Sequence, residues 1–461
     1  MRIGRLHKEV IAGSLVPSPC LTPSPLSPFC IVQNRATGHL QVRKSLNIRL
    51  PASPMKGHCA RLSSLPNEII DAIVDENQDD KAALRACSLV NHSWTYSSQR
   101  HIFSRVNFNN KRTNNLGQRH SQRSIEQFYT LICAHPFIAT LVKAVDVSPL
   151  LDARLLARTL EKLTELENIS IDLCGFHWDE LSLYLRNTLV GTLRSLRITN
   201  LELHEGQFLH CEDFLALLGS SSHLKRLTLV GVSCGNFLDS RSRAENVNGL
   251  ELQLESLAIT LYDHSYYPLL KLLQSSVNLS SLDRLSVLTA GSGHLAERVV
   301  IAREILGRLS GSPLKYLALN VCLGEPLSNL IDVSQLRSIH IRLWWIRLDG
   351  HAKPDEWLRW MYAIFQEFAQ WHKMEEATFE IFYASDFTVY VNEWAALDAV
   401  LGTIQSLKKV HLRLDNYDVA RARWRHLREY PSSLGDDTNS VLPALAERKI
   451  LFVEVAANFP C

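Results

Sequence analysis

A chain of 461 residues with a 46% apolar fraction is long enough for several domains or one extended repeat array. Its formal charge of +2 gives no global attraction to nucleic acid or to an anionic membrane, and neither is expected as a partner. Ten cysteines are scattered singly, with no C-x-x-C and no zinc spacing, which argues against a disulfide framework and for reduced thiols in the cytoplasm or nucleus. No apolar run reaches the roughly 18 residues that a membrane helix needs.

Residues 1–60 are basic, carry Glu9 as their one acid, and are interrupted by Pro17, Pro19, Pro23, Pro25 and Pro28. The prolines would break the amphipathic helix of a transit peptide. A disordered tail is expected. Ser18, Thr22, Ser24, Ser27 and Ser53 each precede proline, so added phosphate could gate a partner there, although a plain linker is the simpler reading.

From Leu62 the pattern turns helical. Pro66 suits a first helical turn, Glu68 and Asp71 favour the positive end of the helix dipole, and Ile69, Ile70, Ile73 and Val74 form an apolar face. Asp80 is a capping residue for a second helix from Lys81 to about Leu89. Asn91-His92-Ser93 is a break, and Trp94 opens a third helix to about Phe103. Three short helices bury little surface and need a partner or a larger neighbour.

The run Leu65-Pro66-x-Glu68-Ile69-Ile70, then Cys87-Ser88-Leu89-Val90-x-x-Ser93-Trp94, then Ile102-Phe103-x-x-Val106, resembles the F-box, in particular that of fungal F-box proteins. The resemblance implies docking onto the adaptor subunit of SCF-type ubiquitin ligases and, through it, onto cullin. It assigns adaptor contacts to Leu65, Pro66, Ile69, Ile70, Leu89, Val90 and Trp94, with Ile73, Leu84 and Cys87 packing internally.

A polar, basic connector is expected at Asn109–Arg123, followed by a recurring apolar-x-x-apolar-x-apolar unit. Copies begin at Val142, Leu166, Leu193, Leu224, Leu254, Leu282, Leu314, Leu336 and Leu407, with a weaker one at Met374. Anchors from 193 to 336 are 31, 30, 28, 32 and 22 residues apart. Each copy ends with the period of a strand, and Ala296–Leu309 and Asp355–Trp371 have helical periodicity, with Trp357, Met361, Ile364, Phe365 and Phe368 on one face. Strand, loop and helix repeated in this way predict an α/β solenoid of parallel strands and helices. The pattern resembles an irregular leucine-rich repeat array. That family places Asn or Cys at the ninth position, where Cys174 and Cys322 stand, whereas Leu201, Val232, Tyr262 and Ala290 depart from it. The organisation expected is a tail at 1–60, an F-box at 61–108 and a repeat domain at 109–461.

In such an array the second, third and fifth positions face the concave side. Arg194, Arg197, Lys225, Arg226, Lys315, Arg337 and His340 make that stripe basic, which suits a protein client with an acidic or phosphorylated segment. The plainer reading is a solvated charged face. Trp344-Trp345 could anchor a partner.

One enzyme-like motif, Gly291-x-Gly293-x-x-Ala296 after a strand, matches a dinucleotide fingerprint, but the next strand ends in Asn320 where a ribose-binding acid is required. There is no P-loop, H-E-x-x-H or G-x-S-x-G. No enzyme activity, cofactor or metal is expected. The function anticipated is substrate recognition for a ubiquitin ligase, with a ligase-independent scaffold as the alternative.

Overall fold

The computed structural model describes residues 65–109, 115–148, 151–195, 197–235, 250–261, 269, 272–273, 277–289, 295–308, 311–320, 323, 326–345, 354–371, 373–383, 391–416 and 442–456. The described residues open with three helices: α1 (Asn67–Glu76), α2 (Lys81–Cys87) and α3 (His92–Ser104). Asp80 caps α2 as expected, accepting from the Ala82 and Ala83 amides, and Asn91 caps α3 by accepting from Ser93 and Trp94. No linker follows. α3 runs directly into β1 (Arg105–Asn107), the first strand of a twelve-stranded sheet.

The remaining strands of that sheet are β2 (Ala144–Val147), β3 (Asn168–Asp172), β4 (Asn200–His204), β5 (Arg226–Val230), β6 (Ser256–Leu261), β7 (Arg284–Thr289), β8 (Tyr316–Leu319), β9 (Ser338–Trp345), β10 (Glu376–Tyr383), β11 (Lys409–Asn416) and β12 (Leu451–Ala456). They lie in chain order and pair parallel throughout. Parallel neighbours need a crossover segment each, and this supplies the helical layer. The fold is therefore an α/β solenoid.

The register explains why the repeat folds. Val145, Ile169, Leu201, Leu227, Leu257, Leu285, Leu317, Ile339, Ala377 and Val410 stand side by side across ten strands, all buried. A second mechanism locks the spacing. The carbonyl just before most strands accepts two amides of the next unit: Lys225 takes Glu255 and Ser256, Glu255 takes Asp283 and Arg284, and Asp283 takes Lys315 and Tyr316. A buried peptide group left unpaired would be costly, so a one-residue slip is penalised twice, in hydrogen bonds and in apolar burial.

Two sequence expectations change. The copy at Leu193 is not a strand: α7 (Leu183–Ser195) occupies it, and the aligned anchors are Ile198, Leu201 and Leu203. The L-x-x-L spacing fits a helix as well as a strand, and Leu185, Leu189 and Leu193 at i, i+4 form the buried face of α7. The connector expected at Asn109–Arg123 also gives way to a helix, α4 (Asn115–Ala134), whose later turns bury Ile125, Phe128 and Ile132. Its charged first turns hide the periodicity that begins at Ile125. The short helices α5 (Pro136–Leu141), α6 (Ala153–Leu160) and α8 (Cys211–Gly219) also connect early strands.

Later helices follow the expectation closely. α9 spans Leu295–Arg308 and α10 spans Pro354–Trp371, with Trp357, Met361, Ile364, Phe365 and Phe368 buried. Phe365 meets Phe379 of β10 edge-on at 5.6 Å between ring centres, so α10 packs on the inner side of the sheet. The last unit is tied down by polar contacts. Buried Asp398 in α11 (Val391–Thr403) accepts the Ala444 and Leu445 amides at the start of α12 (Pro443–Glu447). Arg448 donates to the carbonyls of Leu401, Gly402, Ile404 and Leu407 at and just after the end of α11. The tail with its Ser-Pro and Thr-Pro sites, Cys322, Gly291 and Gly293 lie outside the described residues.

The register correction makes a prediction. Leu201→Ala should lower unfolding free energy by about 2–5 kcal/mol, as a buried large-to-small change does. Arg197→Ala, exposed ahead of β4, should change it by about 0.5 kcal/mol or less. Urea denaturation checks this, and equal effects at the two positions would contradict the register.

Candidate functional site

Among the described residues, two surfaces carry the side chains that the sequence assigns to partners. The first is on the helical block. Its interior is small: Ile70, Val74, Leu84 and Trp94, with Cys87 and Ile102 against them. Polar ties hold the helices together. Asp71 bonds the Ser97 hydroxyl, Asp75 meets Arg100 at 3.2 Å and His101 at 2.6 Å, and the Thr95 hydroxyl donates to the Ser88 carbonyl.

The remaining apolar side chains point outward. Leu65, just ahead of α1, and Ile69 and Ile73 on it are spaced four apart, and all are exposed, Ile69 by 48%. In the turn after α2, Leu89 is 85% exposed and Val90 50%. Of the adaptor contacts expected from sequence, Leu65, Pro66, Ile69, Leu89 and Val90 are thus on the surface, whereas Ile70 and Trp94 are core residues at 3% and 9% exposure. Ile73, expected inside, is outside, and Leu84 is inside as expected. The physical reason is helical phase: α1 buries i and i+4 at Ile70 and Val74, which turns Ile69 and Ile73 away. Apolar side chains in such number on a small unit are what an interaction surface requires.

The second surface is the solvent side of the sheet. On the short early strands alternate residues point out, as in β5, where Arg226, Thr228 and Val230 flank buried Leu227 and Leu229. The expected basic stripe is largely neutralised here. Lys225 meets Glu255 at 2.7 Å, Lys315 meets Asp283 at 3.4 Å, and Arg337 and Lys408 share Glu375 at 3.8 and 3.0 Å. Cations in one unit face acids in a neighbouring unit, a ladder of exposed pairs each worth little. The Arg226 guanidinium donates to Asn200. Arg194 lies in the last turn of α7 and Arg197 precedes β4, so neither is on a strand.

His340 does belong to a cluster. Its Nε2 lies 3.4 Å from Glu380 and its Nδ1 3.4 Å from the Tyr316 hydroxyl. Arg342 bonds Glu380 through Nε, and Arg413 Nη1 lies 3.7 Å from the other carboxylate oxygen. The Arg284 guanidinium sits 4.5 Å above the Tyr316 ring. Glu380 is only 2% exposed. Burial alone would raise its carboxyl, but the hydrogen bonds and charges of His340 and Arg342 outweigh this and hold it at about 2. Arg342, Glu380 and Arg413 occupy the seventh position of their units, one step beyond the six-residue pattern read from sequence. Earlier strands also reach this row, at Asp172, His204, Val230 and Thr260, so the ion cluster comes from the residues placed there and not from strand length.

Among the described residues no helix is long and apolar enough to cross a membrane. No protein-family model and no curated protein sequence matches the chain. Among solved structures, a complex of Rad7 and Elc1 from yeast is similar at 12% identity and a TM-score of 0.34, covering 76% of this chain and 93% of that one. An internalin, InlF, from Listeria monocytogenes is similar at 13% identity and a TM-score of 0.25, covering 64% and 83%.

The environment of Glu380 sets a pH dependence. Its folded value of about 2 is below the ordinary 4.5, so its contribution is present above 4.5 and is lost as pH falls toward 2. Glu380→Gln should therefore be less stable than wild type at pH 7, and the gap should close between pH 4.5 and 2. A gap in melting temperature that stays constant with pH would count against this ion cluster.

Proposed function

We propose that this chain is a substrate-recognition subunit of an SCF-type ubiquitin ligase. The helical block docks the adaptor subunit and, through it, cullin; the repeat array holds a protein client. The observation that carries this reading is the outward apolar set on α1 and the α2–α3 turn: Leu65, Ile69, Ile73, Leu89 and Val90. Their side chains gain nothing from facing water; full burial of such a side chain contributes roughly 1.5–3 kcal/mol, which Leu89 approaches and the half-covered Leu65, Ile69, Ile73 and Val90 gain in part. The F-box resemblance of the same segment supplies the identity of that partner.

The mechanism is proximity. Holding a client on an array attached to the ligase raises the effective concentration of its lysines near the bound ubiquitin donor. This reading assigns the chain no reaction of its own. A direct α3–β1 junction suits the task, because a client on the sheet then keeps a fixed distance from the docked adaptor.

A ligase-independent scaffold is the second reading, favoured by that same junction, since helices that lead into a first strand also cap the end of a solenoid. A cap, however, covers its apolar side chains against the array, and these are exposed. Co-purification with the adaptor separates the two. Wild type should bind, and Ile69→Asp with Leu89→Asp should weaken capture at least about tenfold while the melting temperature holds, since both sites are exposed. Ile70→Asp should instead unfold the block. Failure of the folded wild-type chain to bind adaptor would favour the scaffold.

A further inference from the structure

Two cysteines meet inside the array. Cys211 is the first residue of α8, and Cys234 ends the short strand Ser233–Cys234 that follows β5. A small parallel pair brings them together: Gln207 and Phe208 stand in register with Ser233 and Cys234. The Gly235 amide then donates to the Phe208 carbonyl at 2.6 Å, and the Cys211 Sγ lies 3.7 Å from the Gly235 carbonyl oxygen. Glycine at 235 permits this closeness, because a Cβ there would meet the Leu209 carbonyl oxygen at 2.5 Å. The two thiols hydrogen-bond to each other, and each residue is 5% exposed.

The surroundings hold both sulfurs in place. Phe208 stacks on Trp178 at 5.4 Å and meets Phe214 of α8 edge-on at 5.2 Å, so the turn before α8 and the helix itself share one aromatic core. The pair is asymmetric in acidity. The Cys234 hydrogen bond holds the Cys211 thiol below its ordinary value against the opposing effect of burial, and Cys211 sits at the positive end of the α8 dipole. The Cys234 thiol is pushed far up, first by Cys211 and then by burial. Other described cysteines are placed differently. Cys133 is exposed on α4, and Cys174 bonds Ser148 and Asp172 and is raised by burial to about 11.

We propose that Cys211 and Cys234 are a redox modification site: a buried dithiol that a small peroxide converts to a disulfide stapling two consecutive units. Cys211 is the nucleophile. Its thiolate attacks one oxygen of hydrogen peroxide, the O–O bond breaks, and the departing oxygen takes a proton and leaves as water. Cys211 is then a sulfenic acid. The Cys234 sulfur attacks the Cys211 sulfur, the S–O bond breaks, and hydroxide leaves with the Cys234 proton as a second water. The two thiols lose two electrons, and the peroxide gains them. Burial selects the oxidant, since a peroxide is small enough to reach the pair and a bulky disulfide is not. The bond ties the start of α8, in the unit of β4, to the strand after β5, and it restricts the unfolded chain between positions 211 and 234. Nothing in this chemistry requires the helical block or a ligase.

The test exposes the full chain briefly to hydrogen peroxide, blocks it with N-ethylmaleimide in denaturant, and digests it for mass spectrometry without reduction. Cys211 and Cys234 should lose their maleimide label together, and a peptide linking them should appear and be released by dithiothreitol. In Cys234→Ser the link should be absent, and dimedone should trap Cys211 as the sulfenic acid. In Cys211→Ser, Cys234 should keep its label. The oxidised wild-type chain should melt about 5 °C above the reduced one, and Cys211→Ser should show no such gain. Both thiols still labelled once Cys133 is oxidised would overturn the proposal. So would links from Cys211 or Cys234 to other cysteines in place of each other, or a correctly linked chain that melts no higher than the reduced one.

Discussion

Everything in this molecule depends on the alignment of one apolar residue per unit. Val145, Ile169, Leu201, Leu227 and their successors lie in register, and each is covered by the next. No unit buries this face alone, so stability arises between units, as in solenoids generally. The carbonyl that accepts two amides of the following unit fixes the phase of the stack. Once that phase is set, the direction of every other strand side chain is set too. The exposed face is a consequence of the buried one.

Each end of the array makes a different use of this rule. At the first strand the stack receives α3 without an intervening loop, and Arg105 grips Asp146 of the neighbouring strand through two bonds of 3.0 and 2.8 Å. The helical block is thereby held by the sheet, and its outward apolar residues are presented from a fixed base. Toward the other end the strands lengthen to eight residues, and Arg342, Glu380 and Arg413 meet at the seventh position of three adjacent units.

Much of this was legible in the sequence, and the failures have physical causes. Three helices after Leu62, the cap at Asp80, and the strands that follow Leu224, Leu254 and Leu336 could be read from spacing alone. The copy at Leu193 misled because i, i+3 spacing serves helices and strands alike, and only pairing with Ile169 and Leu227 identifies Leu201 as the rung. Helical phase, which one residue decides, separated Ile69 from Ile70. The basic stripe misled for another reason: a list of positions within one unit does not show the acid in the next. Glu255 and Glu375 neutralise it across units, and Glu380 lies one position past the motif that was read.

The central claim is that the outward apolar residues of α1 and the α2–α3 turn form the adaptor-docking surface. Hydrogen–deuterium exchange of the full chain, with and without the SCF adaptor, tests it most directly. The account predicts slowed exchange at amides around 67–73 and 88–91 on adding adaptor, with β7–β11 unchanged. No protection in the helical block, or protection confined to the strand face, would contradict it.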